Sequence, residues 1–258
     1  MTVTPKTVYR TPAELVTEFH STYGQPIRVT PQLDVPERKL RVALITEEFD
    51  EFIEAETHDD LVEIFDALGD EVYVAQGAAI THGIDLTEAL DTARTSKNIP
   101  PLLQDLYGDY QKGFESYIWF FPTSTMGKNN EELDGELAVH ASQRAVWRAT
   151  LGMAVTRYAN AEINDDIEAL TIALGEIIVL CYAISAFYGV DLDVILEEIQ
   201  RSNMSKLGAD GKPIYYTEGP KKGKVMKGPN FSEPDIAGIL SAISERGTKV
   251  AENTPITV

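Results

Sequence analysis

Two groups of acidic residues lie at spacings that place each group on one face of a helix. Glu48 and Glu51 are three residues apart, and Glu63, Asp66 and Asp70 follow the i, i+3, i+7 pattern. Two antiparallel helices joined by a short turn would bring these groups together, and like charges repel there unless a cation lies between them. Carboxylate oxygens suit Mg²⁺. The same spacing also keeps the acids of an ordinary amphipathic helix in water, so both interpretations stay open.

The helices that would carry these acids are predicted to be buried at one end. Residues 42–45 are apolar around the whole helix and precede the first acidic group. Residues 72–80 are apolar or small around almost the whole helix and follow the second group. A helix that is apolar on every side is buried. The acids are therefore expected at the mouth of a helical bundle, next to its core.

The second acidic helix occurs twice in the chain. Residues 59–86 align with residues 165–192 at a constant offset of 106, with eight of 28 positions identical and no gap. The acids of the first copy are mostly lost in the second, where Glu63, Asp66 and Asp70 are matched by Ala169, Ile172 and Glu176. A scaffold that persists while its carboxylates change indicates that the carboxylates serve more than folding.

Charge is distributed unevenly. The net charge is −19, which argues against a surface for binding a nucleic-acid polymer. Twelve acids and no Lys or Arg lie between Glu47 and Glu71, whereas seven Lys or Arg lie between Arg201 and Lys227. An acidic cluster and a basic, glycine-rich segment are what a metal–phosphate site needs, although two solvated surfaces of opposite sign would give the same pattern.

The pattern of the whole chain predicts an all-α protein. We divide it into a unit over residues 1–99, an irregular connector over 100–130 and a second unit over 131–258, with an ordered loop or small hairpin at 205–234. The longest apolar stretch, Ile167 to Val190, contains two glutamates and is interpreted as a buried helix, not a membrane span. With no signal segment and a single cysteine, the expected location is cytoplasmic.

The strings around the acids resemble a known superfamily. TEEFDEF (46–52) and DALGDEVY (66–73) are similar to the E-E-x-x-E and E/D-x-x-D signature of MazG-like, all-α nucleoside triphosphate pyrophosphohydrolases. FHSTYGQPI (19–27) and the segments at 201–216 and 223–236 resemble MazG-like proteins of tailed bacteriophages. The resemblance implies a Mg²⁺ or Mn²⁺ cofactor and hydrolysis of the α–β phosphoanhydride of a nucleoside triphosphate to the monophosphate and pyrophosphate.

Residue roles follow from this resemblance. Glu48, Glu51 and Asp70 match metal ligands, and because Ala67 replaces the usual fourth acid, Asp66 or Glu63 must substitute for it. Glu47 or Glu51 is the expected proton acceptor, so the catalytic set is Glu47, Glu48 and Glu51. The expected substrate-binding residues are Asn203, Lys206, Tyr215, Lys222, Lys224 and Lys227, with Lys221 as a further candidate.

Proteins of this superfamily usually dimerise, and this chain resembles two of their units in tandem. Glu48 and Glu51 correspond to Ala154 and Arg157 in the second unit, which is followed by the basic segment. The resemblance thus implies an intrachain pseudo-dimer in which one unit supplies the metal site and the other the basic tail. A homodimer of the whole chain is a further expectation, as is the host cytoplasm if a phage encodes the protein. The alternatives are a protein that binds or sequesters nucleotides without hydrolysis, and a structural helical module.

Overall fold

The structure is a computed structural model that describes residues 9–112, 130–219 and 221–253. The described residues form helices and irregular segments, with one isolated antiparallel bridge between Tyr215 and Val225. The helices are α1 (Pro12–Thr22), α2 (Arg38–His58), α3 (Leu61–His82), α4 (Thr87–Arg94), α5 (Pro101–Lys112), α6 (Asn130–Ile163), α7 (Ile167–Phe187), α8 (Leu192–Met204) and α9 (Ile236–Asn253). The predicted all-α class is confirmed.

The core lies in a bundle of four helices. Helix α2 packs on α3, α3 on α7, α7 on α6, and α6 back on α2. Helices α1 and α8 cover α3, whereas α4 and α5 cover α7. Because α7 has neighbours on so many sides, its apolar residues meet protein on almost every face.

Helix α7 is long and apolar enough to cross a membrane, with a mean hydropathy of 2.1 over its most apolar window. Its position argues against this role, because 83% of that window is buried within the protein. The apolar stretch is therefore a core helix, as its sequence predicts.

Local signals set the ends of the acidic helices. The Asp60 side chain accepts hydrogen bonds from the backbone N–H groups of Val62 and Glu63 at the start of α3. Gly83 ends α3 in the left-handed conformation, with φ of 71°. These caps fix where α3 begins and ends, and thus where its carboxylates lie.

Two glycines of the repeated segment allow close helix crossings. A Cβ on Gly69 of α3 would lie 2.3 Å from Cδ1 of Ile199 on α8. A Cβ on Gly175 of α7 would lie 2.9 Å from the carbonyl oxygen of Ala89 on α4. The two glycines are 106 residues apart in the chain, and each contacts a helix from the other half.

Two sets of ion pairs join the first half of the chain to the second, and their residue numbers are related by the same offset of 106. Arg38 of α2 pairs with Glu162, at 2.7 Å, and with Asp165. Arg144 of α6 pairs with Glu56, also at 2.7 Å, and with Asp59. Adding 106 to Arg38, Glu56 and Asp59 gives Arg144, Glu162 and Asp165, so one arrangement occurs twice with the halves exchanged.

The predicted connector over residues 100–130 needs a correction. Its first part is helical, because Pro101 begins α5, which buries Leu103 and Tyr107 in the core. The proline suits the first turn of a helix, where no backbone donor is needed. Residues 113–129 lie outside the described residues, so the connector prediction is untested there.

Candidate active site

A cavity of about 380 Å³ lies between α1, α2, α3, α8 and the segment that follows α8. Its wall contains acids from the first half of the chain, namely Glu47, Glu48, Glu51, Asp66 and Asp70. It also contains polar and basic residues from the second half, namely Asn203, Lys206, Lys221, Lys224 and Lys227. The cavity therefore brings together most of the predicted site residues from both ends of the sequence.

The acids of this cavity are poorly compensated. Glu48 is 6% exposed, and Oδ1 of Asp66 is buried without a hydrogen-bond partner. Burial raises the pKa of Glu48, and repulsion from Asp70 and Glu51 raises it further. The pKa of Asp66 rises for the same two reasons, through burial and then through Asp70. Such carboxylates are stabilised by any cation that enters.

The basic side chains of the cavity lie close to these acids. Nζ of Lys206 donates to Oδ1 of Asn203 at 2.6 Å, and burial lowers the pKa of this lysine. Lys221 and Lys224 both bond to the Glu47 carboxylate, at 2.8 and 3.1 Å. Burial alone would raise the pKa of Glu47, but these two bonds outweigh it and the pKa is lowered. Glu47 is thus held by two lysines.

The residues fit a divalent metal ion in their chemistry. The candidate ligands are all carboxylates, the donors that Mg²⁺ and Mn²⁺ prefer, and one buried oxygen of Asp66 has no protein partner. Within the described ranges, no three His, Cys, Asp or Glu side chains stand in a group that could hold a metal ion as they are placed. Binding therefore requires the carboxylates to rotate toward one another.

Three predicted site residues lie outside the cavity wall. Glu63 is exposed and outside the wall, whereas Asp66, the other candidate for the fourth acid, lies in the wall. Lys222 is also exposed, on the outer side of the loop. Tyr215 donates from its hydroxyl to the carbonyl oxygen of Tyr23, whereas its neighbour Tyr216 lines the cavity.

Several wall residues are missing from our sequence prediction. The wall also contains Arg41, which contacts His20, and it contains Gln25 and Phe19. Arg41 precedes Glu48 by seven residues, two turns along the same face of α2. This spacing is a sequence signal for Arg41, since a charged residue next to a buried apolar stretch is costly and therefore indicates a function.

In the second half of the chain, side chains of the protein itself occupy the position that corresponds to the acidic group of the cavity. Glu176, the counterpart of Asp70, is fully buried and accepts hydrogen bonds from Ser96, Asn98 and Arg157, at 2.8, 2.9 and 2.8 Å. Arg157 is the counterpart of Glu51, so an acid of the first half is replaced by a base. The carboxylate is thus neutralised by the chain itself.

Comparison with known proteins supports the predicted superfamily. Residues 16–97 match the family model of phosphoribosyl-ATP pyrophosphohydrolase. This segment contains all five predicted metal ligands and ends before the second half. At a coarse level the match indicates a hydrolase of the pyrophosphohydrolase type.

A viral protein is also similar to this chain. "Uncharacterized protein L479" of Acanthamoeba polyphaga mimivirus is 28% identical over 200 residues, which cover 75% of this chain and 70% of the viral protein. No solved structure matches the chain significantly.

Proposed function

We propose that the protein is a metal-dependent nucleoside triphosphate pyrophosphohydrolase that releases pyrophosphate and a nucleoside monophosphate. One observation carries this proposal: a single cavity is lined by both carboxylates and lysines. The carboxylates suit a divalent cation and the lysines suit a chain of phosphates. The family match over residues 16–97 supports the same type of chemistry.

We further propose that the chain is a pseudo-dimer of two related units. The crossed ion pairs and the paired glycines support this view, because each recurs at the offset of the sequence repeat. The first unit would supply the metal ligands, and the second would supply Asn203 and the lysines. Association of two whole chains and a cytoplasmic location remain predictions.

The chemistry divides among the residues of the two halves. Glu48, Glu51, Asp66 and Asp70 would hold Mg²⁺ or Mn²⁺, which when bound offsets phosphate charge and makes the α-phosphorus more electrophilic. Lys206, Lys224 and Lys227 would bind the β- and γ-phosphates and hold the charge of the departing pyrophosphate.

The remaining step is the attack of water. Water adds to the α-phosphorus, the bond from this phosphorus to the α–β bridging oxygen breaks, and the bridging oxygen leaves with pyrophosphate. Glu51 is suited to accept the proton of the water, because burial and nearby carboxylates raise its pKa. Glu47 is the alternative acceptor, once Lys221 and Lys224 have turned from it toward the phosphates.

A product assay tests the proposal. Purified protein is incubated with each common ribonucleoside and deoxyribonucleoside triphosphate, with and without Mg²⁺, and pyrophosphate and orthophosphate are measured separately. Metal-dependent release of pyrophosphate with the monophosphate is expected. Release of orthophosphate would show that a different bond is cut, which contradicts the proposal.

The second candidate is a protein that binds or sequesters nucleotides without hydrolysing them. It is favoured by the ion pairs of Lys221 and Lys224 with Glu47, because these pairs occupy one of the two candidate proton acceptors. In the same assay this candidate gives no turnover, but nucleotide with metal raises the melting temperature, because a ligand of the native state stabilises it. A structural module would show neither effect.

Lys206→Met should weaken turnover far more than Lys222→Met. Lys206 is half-buried in the cavity beside Asn203, whereas Lys222 is exposed outside it. Loss of one charged phosphate contact is expected to lower kcat/KM about 100-fold for Lys206→Met, and less than about twofold for Lys222→Met. Steady-state kinetics on the preferred nucleotide measures both. Equal effects of the two substitutions would contradict the assignment of Lys206.

A further inference from the structure

Arg41 is a buried guanidinium without an acidic partner. Its residue is 6% exposed, and its Nε has no hydrogen-bond partner. Among the described residues no carboxylate forms an ion pair with it, although every other buried charge discussed above has an ionic partner or lies in the acidic group. Burial lowers the pKa of Arg41 to about 10. A buried charge of this kind is costly unless a ligand supplies its acceptor.

His20 fixes the direction of this guanidinium. Nδ1 of His20 lies 2.7 Å from the carbonyl oxygen of Pro26, an atom that only accepts, so Nδ1 carries the proton. The lone pair on Nε2 then accepts from Nη2 of Arg41, at 3.3 Å. This contact uses one N–H of Nη2. The other N–H of Nη2 and an N–H of Nη1 form the parallel fork at the end of the guanidinium, and this fork is left for a ligand.

Arg41 and the metal-binding acids lie at opposite ends of one cavity. On α2, Arg41 precedes Glu48 by seven residues, which is a rise of about 10 Å along a helix. On α3, which runs in the opposite direction, Gly77 follows Asp70 by the same seven residues. A nucleotide bound with its α-phosphate at the acids would extend its sugar and base along this length of the cavity.

Gly77 leaves room beside the guanidinium. A Cβ at this position would lie 3.0 Å from Nη1 of Arg41 and 3.3 Å from Nε2 of His20. A side chain here would press on the very atoms that a ligand must reach. Because Gly77 has no side chain, the space next to Nη1 of Arg41 stays open.

The walls at this end suit a flat ring better than a phosphate. Val16, Leu44 and Val74 provide apolar surface, and Phe19 and Tyr73 provide aromatic surface. The lysines are at the other end, so a triphosphate bound between lysines and acids would direct its base toward Arg41. An apolar slot with one fixed donor group is a common form of site for a heterocycle.

We propose that Arg41 is the specificity-determining residue of the cavity and binds an oxo-substituted nucleobase through the parallel N–H groups of Nη1 and Nη2. This inference rests on the proposed function, because it takes the acidic end as the phosphate end. The two N–H groups need two acceptors. Guanine presents O6 beside N7, and cytosine presents O2 beside N3, whereas adenine places its amino donor next to N7 and N1. Oxo-bases are therefore favoured over adenine.

The test compares Arg41→Met and Arg41→Lys with the unchanged protein. The substrates are dGTP, dCTP, dTTP, dATP and deoxyribose 5′-triphosphate, which carries no base. The unchanged protein should favour at least one oxo-base over dATP by about 10-fold or more in kcat/KM. Arg41→Met should lower kcat/KM for that base about 10- to 100-fold and leave dATP and the base-free substrate within about threefold. Arg41→Lys, which keeps the charge but loses the planar fork, should be intermediate.

Calorimetric binding of the four deoxynucleoside monophosphates without metal separates the two proposals. A base preference in binding that Arg41→Met removes, with no turnover of any triphosphate, would retain this inference and reject hydrolysis. Turnover with equal kcat/KM for all bases, unchanged in Arg41→Met, would retain hydrolysis and overturn this inference. Equal loss on every substrate, the base-free one included, would mean that Arg41 binds phosphate, which also overturns it. Failure to bind or hydrolyse any nucleotide would overturn both proposals.

Melting temperatures of both variants check that they fold, and Arg41→Met should melt no lower than the unchanged protein.

Discussion

Glu48→Gln should abolish turnover and make the metal-free protein more stable. The amide keeps the shape of the side chain but removes the charge that would bind a cation, so a fall in kcat of about 10³-fold is expected. The same carboxyl group is nearly buried beside Asp70 and Glu51, so its ionisation costs free energy in the fold when no cation offsets the charge. Removing it should raise the free energy of unfolding by about 1–3 kcal/mol, or the melting temperature by several degrees.

The pH dependence of this stabilisation has a defined sign. Because the pKa of Glu48 is raised in the folded protein, the folded state holds its proton more tightly than the unfolded state. Above the unfolded pKa of about 4.3 the unfolded chain releases the proton that the fold retains, so Glu48 lowers the free energy of unfolding. This loss grows as the pH rises toward the folded pKa. The difference in melting temperature between Glu48→Gln and the unchanged protein should therefore widen from pH 5 to pH 8.

Glu54→Gln is the matched control, since Glu54 lies on the same helix but is exposed and outside the cavity. It should leave both kcat and the melting temperature nearly unchanged. Metal-free melting curves by circular dichroism and the pyrophosphate assay measure the two effects. A Glu48→Gln protein that is less stable than the unchanged protein at pH 8, or that retains full activity, would contradict the assignment.

Glu56→Gln should cause the largest loss of stability. Glu56 is 2% exposed and its carboxylate accepts from Arg144, Arg148 and Tyr188, at 2.7, 3.1 and 2.7 Å. Removing one partner from a buried ionic group leaves uncompensated charge and costs about 3–5 kcal/mol. For a chain of this length that is a drop in melting temperature of about 10 °C.

The matched substitution is Glu162→Gln, in the ion-pair cluster related to the Glu56 cluster by the offset of 106 residues. Glu162 is also 2% exposed and contacts Arg38, His82 and Tyr158, at 2.7, 2.9 and 2.9 Å. If the two clusters are equivalent, the two substitutions should destabilise the protein by similar amounts. Denaturant unfolding monitored by circular dichroism gives both values, with exposed Glu54→Gln as the reference. A loss below 1 kcal/mol for Glu56→Gln would show that the cluster does not hold the halves together.

Local patterns in the sequence predicted much of this fold. The helix ends at Thr11, Asp60 and Gly83 each depend only on nearby residues, so a helix boundary can follow from a short stretch of sequence. The i, i+3, i+7 spacing likewise predicts that Asp66 and Asp70 share a face, since this follows from the helix alone.

Features that depend on tertiary contacts were not predictable in the same way. Whether Glu63 or Asp66 faces the cavity depends on the direction of α2 and α8 across α3, which no local pattern encodes. The partners of Glu47 lie 174 and 177 residues away in the chain. Arg41 has a local signal in its spacing to Glu48, but only three-dimensional packing reveals that it lacks an ionic partner within the described part of the chain.

The closed counterpart site around Glu176 has a consequence for how ligand binding responds to concentration. A symmetric pair of sites would allow one occupied site to influence the other, whereas here the second place is already filled by Arg157, Ser96 and Asn98. Saturation within one chain should therefore follow a simple hyperbola with one nucleotide per chain. Relieved of ligand binding, the second half is free to diverge in sequence as long as it continues to present Asn203 and the lysines to its neighbour.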